Sequence, residues 1–279
     1  FQFCKGKEFF SKEYWGYALR IGIPIVPHYL SGIILNQGDR IMIDKMVGKT
    51  EVALYGLAYS IGMLVQLFIS GMNSALTPWM YSKIKKGDIR SMRKVLQLLS
   101  IVVVGIAVAL MLISPELVLI FGSPKYREAV YVIPPVAASV FFIFIYNILS
   151  MPQFYYEKTQ FLMAASMAAA GANVVLNFIF IRLFGYIAAG YTTLACYMLY
   201  SVGHYIVSKR ILVNEGIQEN LMSPGFLVAC SVFLIGASII CNLIFPYRIL
   251  RYAILLASAG LVFWKKELLL KTMADIRKK

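Results

Sequence analysis

"NQGDRIMIDKMVG", residues 36–48, decides how this chain is read. An Asp-Arg pair, a second Asp and a Lys follow directly on the apolar run "IGIPIVPHYLSGIIL", residues 21–35. Either a membrane helix ends before Asp39, or it continues and the charges face something other than lipid. On a helical wheel, His28, Ser31, Gly32, Asn36, Asp39 and Arg40 fall on one half. Val26, Leu30, Ile33, Ile34 and Ile41 fall on the other. The two-faced pattern does not break at Asp39, so the helix is predicted to run through it. A charge at mid-membrane costs about 2.5–3.5 kcal/mol on insertion scales. Asp39 and Arg40 lie nearer an interface, where the cost is smaller but still disfavours lipid. Both are therefore expected to face an interior cavity near its outer end, with Asp39 orienting Arg40. A competing reading has both side chains snorkelling, with Arg40 bridged to Asp44 one turn on for a few tenths of a kcal/mol.

The rest of the chain supports a membrane helix here. Of 279 residues, 60% are hydrophobic and 14% charged, with a mean hydropathy of +0.73. Soluble domains hold roughly 45–50% apolar and about 25% charged residues. The expected class is an all-α integral membrane protein. Net charge is +14. Because the basic residues sit in short inter-span loops, the membrane accounts for them and no nucleic-acid partner is expected. Cys4, Cys196, Cys230 and Cys241 show no metal-ligand spacing and read as small core residues. No catalytic residue, metal ligand or cofactor is expected. The chain begins at Phe1, and residues 1–11 have no signal-peptide pattern, so it reads as a segment of a longer protein.

Spans need about 20 mainly apolar residues. Eight are predicted, at roughly 17–46, 51–82, 91–121, 128–151, 159–183, 186–208, 224–245 and 248–266. Lys and Arg in the loops are divided 18 to 7 between the two sides. The richer side holds Lys83, Lys85, Lys86, Arg90, Arg93, Lys94 and the C-terminal tail. That bias predicts both termini of the segment in the cytoplasm.

Helix faces say more than composition. In the second span Tyr55, Tyr59, Gly62, Gln66, Ser70, Asn73 and Thr77 fall within an arc of about 80°. A polar stripe along a span must face protein or water. Tight packing through small and polar residues would satisfy it, but Gln66 and Asn73 are large for that, so a water-lined cavity is favoured. The sixth span repeats the pattern with Thr193, Tyr197, Tyr200, His204 and Ser208, and the fifth carries Ser166, Asn173 and Asn177 on one side. The third and last spans are nearly featureless and read as lipid-facing or peripheral. Pro24 and Pro27 interrupt the first span, Pro78 is read as ending the second, and Pro134-Pro135 as bending the fourth.

Three stretches in order carry a family resemblance. "RIGIPIVPHYLSGIILNQGDRIMIDKMVGKTEVALYGLAYSIG" resembles the start of the second half of a bacterial polysaccharide (O-antigen-type) flippase. That group belongs to the multidrug/oligosaccharidyl-lipid/polysaccharide exporter superfamily. "MNSALTPWMYS" resembles the end of its next helix, and "ANVVLNFIFIRLFGYIAAGYTTL" its Asn-rich span, short loop and Gly-Ala-rich helix start. The resemblance covers about residues 12–213; the last two spans match by count alone.

It implies that residues 1–214 are the second six-helix lobe of a two-lobed flippase, and 215–279 a further helix pair with a basic cytoplasmic tail. The implied function is flipping of undecaprenyl-pyrophosphate-linked oligosaccharide repeat units from the inner to the outer leaflet. It would occur in the bacterial plasma membrane by alternating access and serve surface polysaccharide biosynthesis. The implied partners are the lipid-linked oligosaccharide, membrane lipid, a coupling cation (Na+ or H+) and polysaccharide assembly proteins. Cavity candidates for the substrate are Arg20, His28, Asn36, Asp39, Arg40, Asp44, Tyr59, Gln66, Ser70, Asn73, Asn173, Asn177, Tyr197 and His204. Amides, hydroxyls and rings suit sugars; Arg20 or Arg40 suits a pyrophosphate. The rivals are a cation-coupled multidrug antiporter, which needs an acid-centred site, a membrane glycosyltransferase or polymerase, and a non-transporting scaffold.

Overall fold

The computed structural model describes residues 11–264. Cys4, Lys5, Lys7 and the basic tail from Lys265 lie outside them. The described chain is all-helical: α1 (Lys12–Met46), α2 (Lys49–Gly62), α3 (Leu64–Lys85), α4 (Ile89–Phe121), a 3-10 turn (Pro124–Val132), α5 (Ile133–Tyr155), α6 (Thr159–Phe184), α7 (Ile187–Asn214), α8 (Pro224–Ile244) and α9 (Arg248–Trp264). Taking α2 with α3 as one interrupted rod gives eight helices. Six are long and apolar enough to cross a membrane: Lys12–Met46, Lys49–Lys85, Ile89–Phe121, Pro124–Tyr155, Thr159–Phe184 and Pro224–Ile244. The predicted spans 186–208 and 248–266 do not meet that measure. Tyr, Thr, Ser and His dilute α7, but most of those residues are buried against protein, so α7 has less need of apolar side chains. α9 shows 17 described residues, short of a full span.

α1 runs unbroken through Asp39, past Pro24 and Pro27, as its two-faced pattern predicts. Its apolar half, including Ile33, Ile34 and Ile41, is exposed as a lipid-facing surface. Two short glycine turns set the interior. Gly48, at φ 154, lets α2 return against α1. Gly185, at φ 74, does the same for α7 against α6. Both conformations disfavour a side chain. The second rod breaks at Met63, directly after Gly62, a poor helix former. A Cβ at Gly62 would stand 2.7 Å from a methyl carbon of Val136, so only glycine lets α2 come this close to α5.

α5 is the central post. Every residue from 132 to 145 is buried, enclosed by α2, α3, α4, α7 and α8. α1 packs on α6, and α6 on α7. The third span is not peripheral. α4 buries Met92, Leu96, Val103, Ala107 and Met111 and sits between α5 and the α8–α9 pair. A mainly apolar helix still has two sides, and dispersion packing against a neighbour leaves no polar signature. Two proline readings are corrected as well. Pro134 and Pro135 lie in the first turn of α5, where the missing N–H costs nothing, and Pro78 is passed by a helix that continues to Lys85.

The turns gather at two ends. At one, Arg93 Nε donates to the Asn220 carbonyl at 2.6 Å, Tyr17 donates to Glu157 at 2.5 Å, and Tyr81 meets Tyr155 edge-on. At the other, Arg251 bridges Glu116, and Tyr131 meets Phe245.

Candidate functional site

Two polar features lie side by side on α1, and a rotation of one residue separates them. The first is a cavity of about 750 Å³. α1 supplies His28, Tyr29, Asn36, Gln37 and Arg40; α2 supplies Tyr59 and Ser60; α5 supplies Tyr146, Asn147, Ser150 and Phe154; α7 supplies Tyr197 and Tyr200. Asn36 ties the walls together. Its Oδ1 accepts from Tyr59 at 2.7 Å and from Tyr197 at 3.3 Å, while its amide donates to the Gly32 carbonyl. Tyr146 stacks parallel to Tyr197 and lies 4.5 Å from the Tyr200 ring. His28 Nδ1 is 2.5 Å from Ser166 Oγ and 3.0 Å from Tyr200 Oη.

Arg40 closes one end of this wall. Its Nη1 donates to Gln37 at 2.9 Å, and its guanidinium lies over the Tyr59 ring at 5.1 Å. Its Nε has no partner among the described residues. The proposed bridge to Asp44 is absent: among the described residues Arg40 makes no ion pair, and Asp44 is exposed. No carboxylate lines this cavity among the described residues.

The second feature is a buried cluster around Asp39, which is 0% exposed. Its Oδ2 accepts from Tyr55 at 2.5 Å and Thr193 at 2.6 Å; its Oδ1 accepts from Asn177 at 2.5 Å. Asn177 also donates to Asn173 Oδ1 at 3.2 Å and accepts from Thr192. Every partner is neutral. Asp39 and Arg40 do not pair: successive helix positions differ by about 100°, which sends Arg40 to the cavity and Asp39 between α2, α6 and α7. The expectation that Asp39 lines the cavity and orients Arg40 is corrected on that ground.

The other candidates scatter. His28, Asn36, Arg40, Tyr59 and Tyr197 line the cavity; Asn173 and Asn177 join Asp39. His204 sits behind the cavity wall, its Nδ1 2.7 Å from Gln153 Nε2 and its ring 5.8 Å from Tyr146. Arg20 is exposed beside Tyr17 and Glu157 in a separate pocket of about 340 Å³. Gln66, Ser70 and Asn73 are not brought to the cavity, because the break at Met63 ends the stripe begun by Tyr55 and Tyr59. Tyr146, Asn147, Ser150 and Phe154 were missed. Their signal is a polar interruption, "YNILS", inside the apolar α5.

The class this defines is a multi-pass membrane protein whose interior helices enclose a polar cavity beside a buried acid. The chain belongs to the MatE family, whose model matches residues 24–179, more than half its length. It is similar to "Lsg locus putative protein 1" of Haemophilus influenzae, 29% identical over 159 residues, 54% of this chain and 38% of that protein. It is also similar to an "Uncharacterized membrane protein" of the same organism, 30% identical over 165 residues, 55% of this chain and 39% of that one. The matched regions thus span about two-fifths of those curated relatives. No solved structure gives a significant match.

Proposed function

We propose that the protein flips an undecaprenyl-pyrophosphate-linked oligosaccharide from the inner to the outer leaflet of a bacterial plasma membrane by alternating access. The carrying observation is the chemistry of the α1–α2–α5–α7 cavity. Tyr rings offer apolar faces to sugar C–H groups, Asn36, Gln37 and Asn147 offer amide hydrogen bonds, and one cation stands at the rim. Transport changes no covalent bond, so no nucleophile or general base is needed. Residues 1–214 would act as one lobe rocking against another, with 215–279 as an accessory pair.

The Asp39 cluster is the coupling site in this reading. A hard cation takes oxygen ligands, and Asp39, Asn173, Asn177, Thr192 and Thr193 provide carboxylate, carbonyl and hydroxyl oxygens. A proton on Asp39 would serve equally. This acid-centred site also favours the second reading, a cation-coupled multidrug antiporter. The cavity argues the other way: its charge is Arg40, which repels a cationic drug and attracts an anionic head group.

The test reconstitutes the full polypeptide in vesicles. Fluorescent lipid-linked oligosaccharide should become accessible to an outside quencher, and a cationic dye should not move. Dye export without lipid movement overturns the flippase reading. In intact cells, a cysteine placed at Lys85 should resist an impermeant thiol reagent, because the basic turn 83–94 is cytoplasmic in this topology.

A further inference from the structure

The far end of the bundle from the 83–94 turn holds a second basic cavity, of about 510 Å³, that the transport reading does not use. Arg127, Arg248 and Arg251 line it, with Glu116 as the one acid among its lining residues. Glu116 is already engaged. Arg251 Nη1 and Nη2 donate to its two oxygens at 2.8 and 2.9 Å, and Tyr252 donates to it at 3.0 Å. Arg251 Nη1 also donates to the Leu112 carbonyl at 2.7 Å. This fixes the guanidinium plane, yet Arg251 Nε, 4% exposed as a residue, has no partner among the described residues. Arg127 and Arg248 are exposed at the mouth, and Arg248 lies 5.5 Å from the Tyr252 ring centre. One acid against three guanidiniums leaves the cavity cationic.

Its remaining walls are apolar, with Phe245 and Val130 among them. The flanking surface is strongly lipophilic: Ile120 is 71% and Ile249 87% exposed. Cations at a helix end above a lipid-facing apolar surface match an amphiphile with an anionic head. A soluble anion would have no use for the apolar walls. Arginine forks suit phosphate oxygens.

We propose that this cavity between α4, the 3-10 turn and the α8–α9 corner binds the phosphate head group of an acidic membrane phospholipid. The lipid clamps α9 to α4 at this end, adding to the Arg251–Glu116 pair. The inference is independent of what the central cavity carries.

The test uses the full polypeptide in detergent and measures lipid retention by native mass spectrometry, with the thermal midpoint alongside. Phosphatidylglycerol should be retained and raise the midpoint, whereas phosphatidylcholine should not. An Arg127→Gln/Arg248→Gln double variant keeps the buried Arg251–Glu116 pair, so it should fold; its phosphatidylglycerol affinity should fall roughly tenfold or more. Arg251→Lys should weaken binding too, because it keeps the charge and loses the unpaired Nε donor. Equal phosphatidylglycerol binding by parent and double variant overturns the site. A pyrophosphate-induced shift that the double variant loses, with no phosphatidylglycerol retained by the parent, overturns the lipid as ligand.

Discussion

Asp39→Asn should leave the protein folded and in the membrane while ion-driven transport falls roughly 5–150-fold, the range of a typical coupling free energy. The structure separates charge from shape here. Asparagine keeps the carbonyl that accepts from Tyr55 and Thr193. Its new amide would meet the Asn177 amide, but a flip of Asn177 presents a carbonyl instead; Asn173 flips with it so that its amide faces that carbonyl, and the Thr192 hydroxyl turns to its alternative acceptor, the Ala189 carbonyl. What is lost is the negative charge and the ability to hold a proton. Asp39→Ala is a different experiment. It strands the Tyr55, Thr193 and Asn177 donors in a buried site, each at about 1–3 kcal/mol, and should lower the amount of protein recovered. The measurement is uptake into vesicles with and without Na+ or pH gradients, normalised to protein. If Asp39→Asn keeps the parental dependence on the driving gradient, Asp39 is structural and coupling lies elsewhere.

The sequence shows the faces of α1, α6 and α7 because lipid cannot satisfy polar groups, so a polar stripe in an apolar helix must point inward. Ser166, Asn173, Asn177, Thr193, Tyr197, Tyr200 and His204 are all buried. The same rule does not say what a stripe meets once inside. Asp39 and Arg40 are neighbours in sequence on one half of a wheel, yet one faces a buried polar cluster and the other a cavity. Partners from α2 and α7 decide that, and they lie up to 154 positions away. The stripe of the second span failed beyond Gly62 for a local reason. A wheel assumes continuous helix, and the break at Met63 resets its phase. The central position of α5 left little trace, since burial on all sides and exposure to lipid both select apolar residues. Its cavity face shows in Tyr146, Asn147 and Ser150.

Arg40→Ala should abolish flipping at normal expression, and Arg40→Lys should restore part of it. Arg40 is held without being used up. Gln37 and the Tyr59 ring fix the guanidinium, and among the described residues only its Nη1 is engaged, by Gln37. A pyrophosphate arriving there gains charge-assisted hydrogen bonds worth about 1.5–3 kcal/mol each, so losing even one costs roughly tenfold or more in binding. Lysine keeps the charge but not the planar fork, hence the partial recovery. The alanine variant should not collapse the cavity, because Tyr59 remains tied to Asn36 at 2.7 Å without help from Arg40. A snorkelling arginine predicts near-parental transport for both variants, since it would touch only water and head groups. The two accounts also differ in competition. Inorganic pyrophosphate should slow flipping by the parent in vesicles, and should lose that effect on the residual activity of Arg40→Lys. If Arg40→Ala is recovered at the parental level and still flips at the parental rate, the cavity does not read the carrier's head group through this residue.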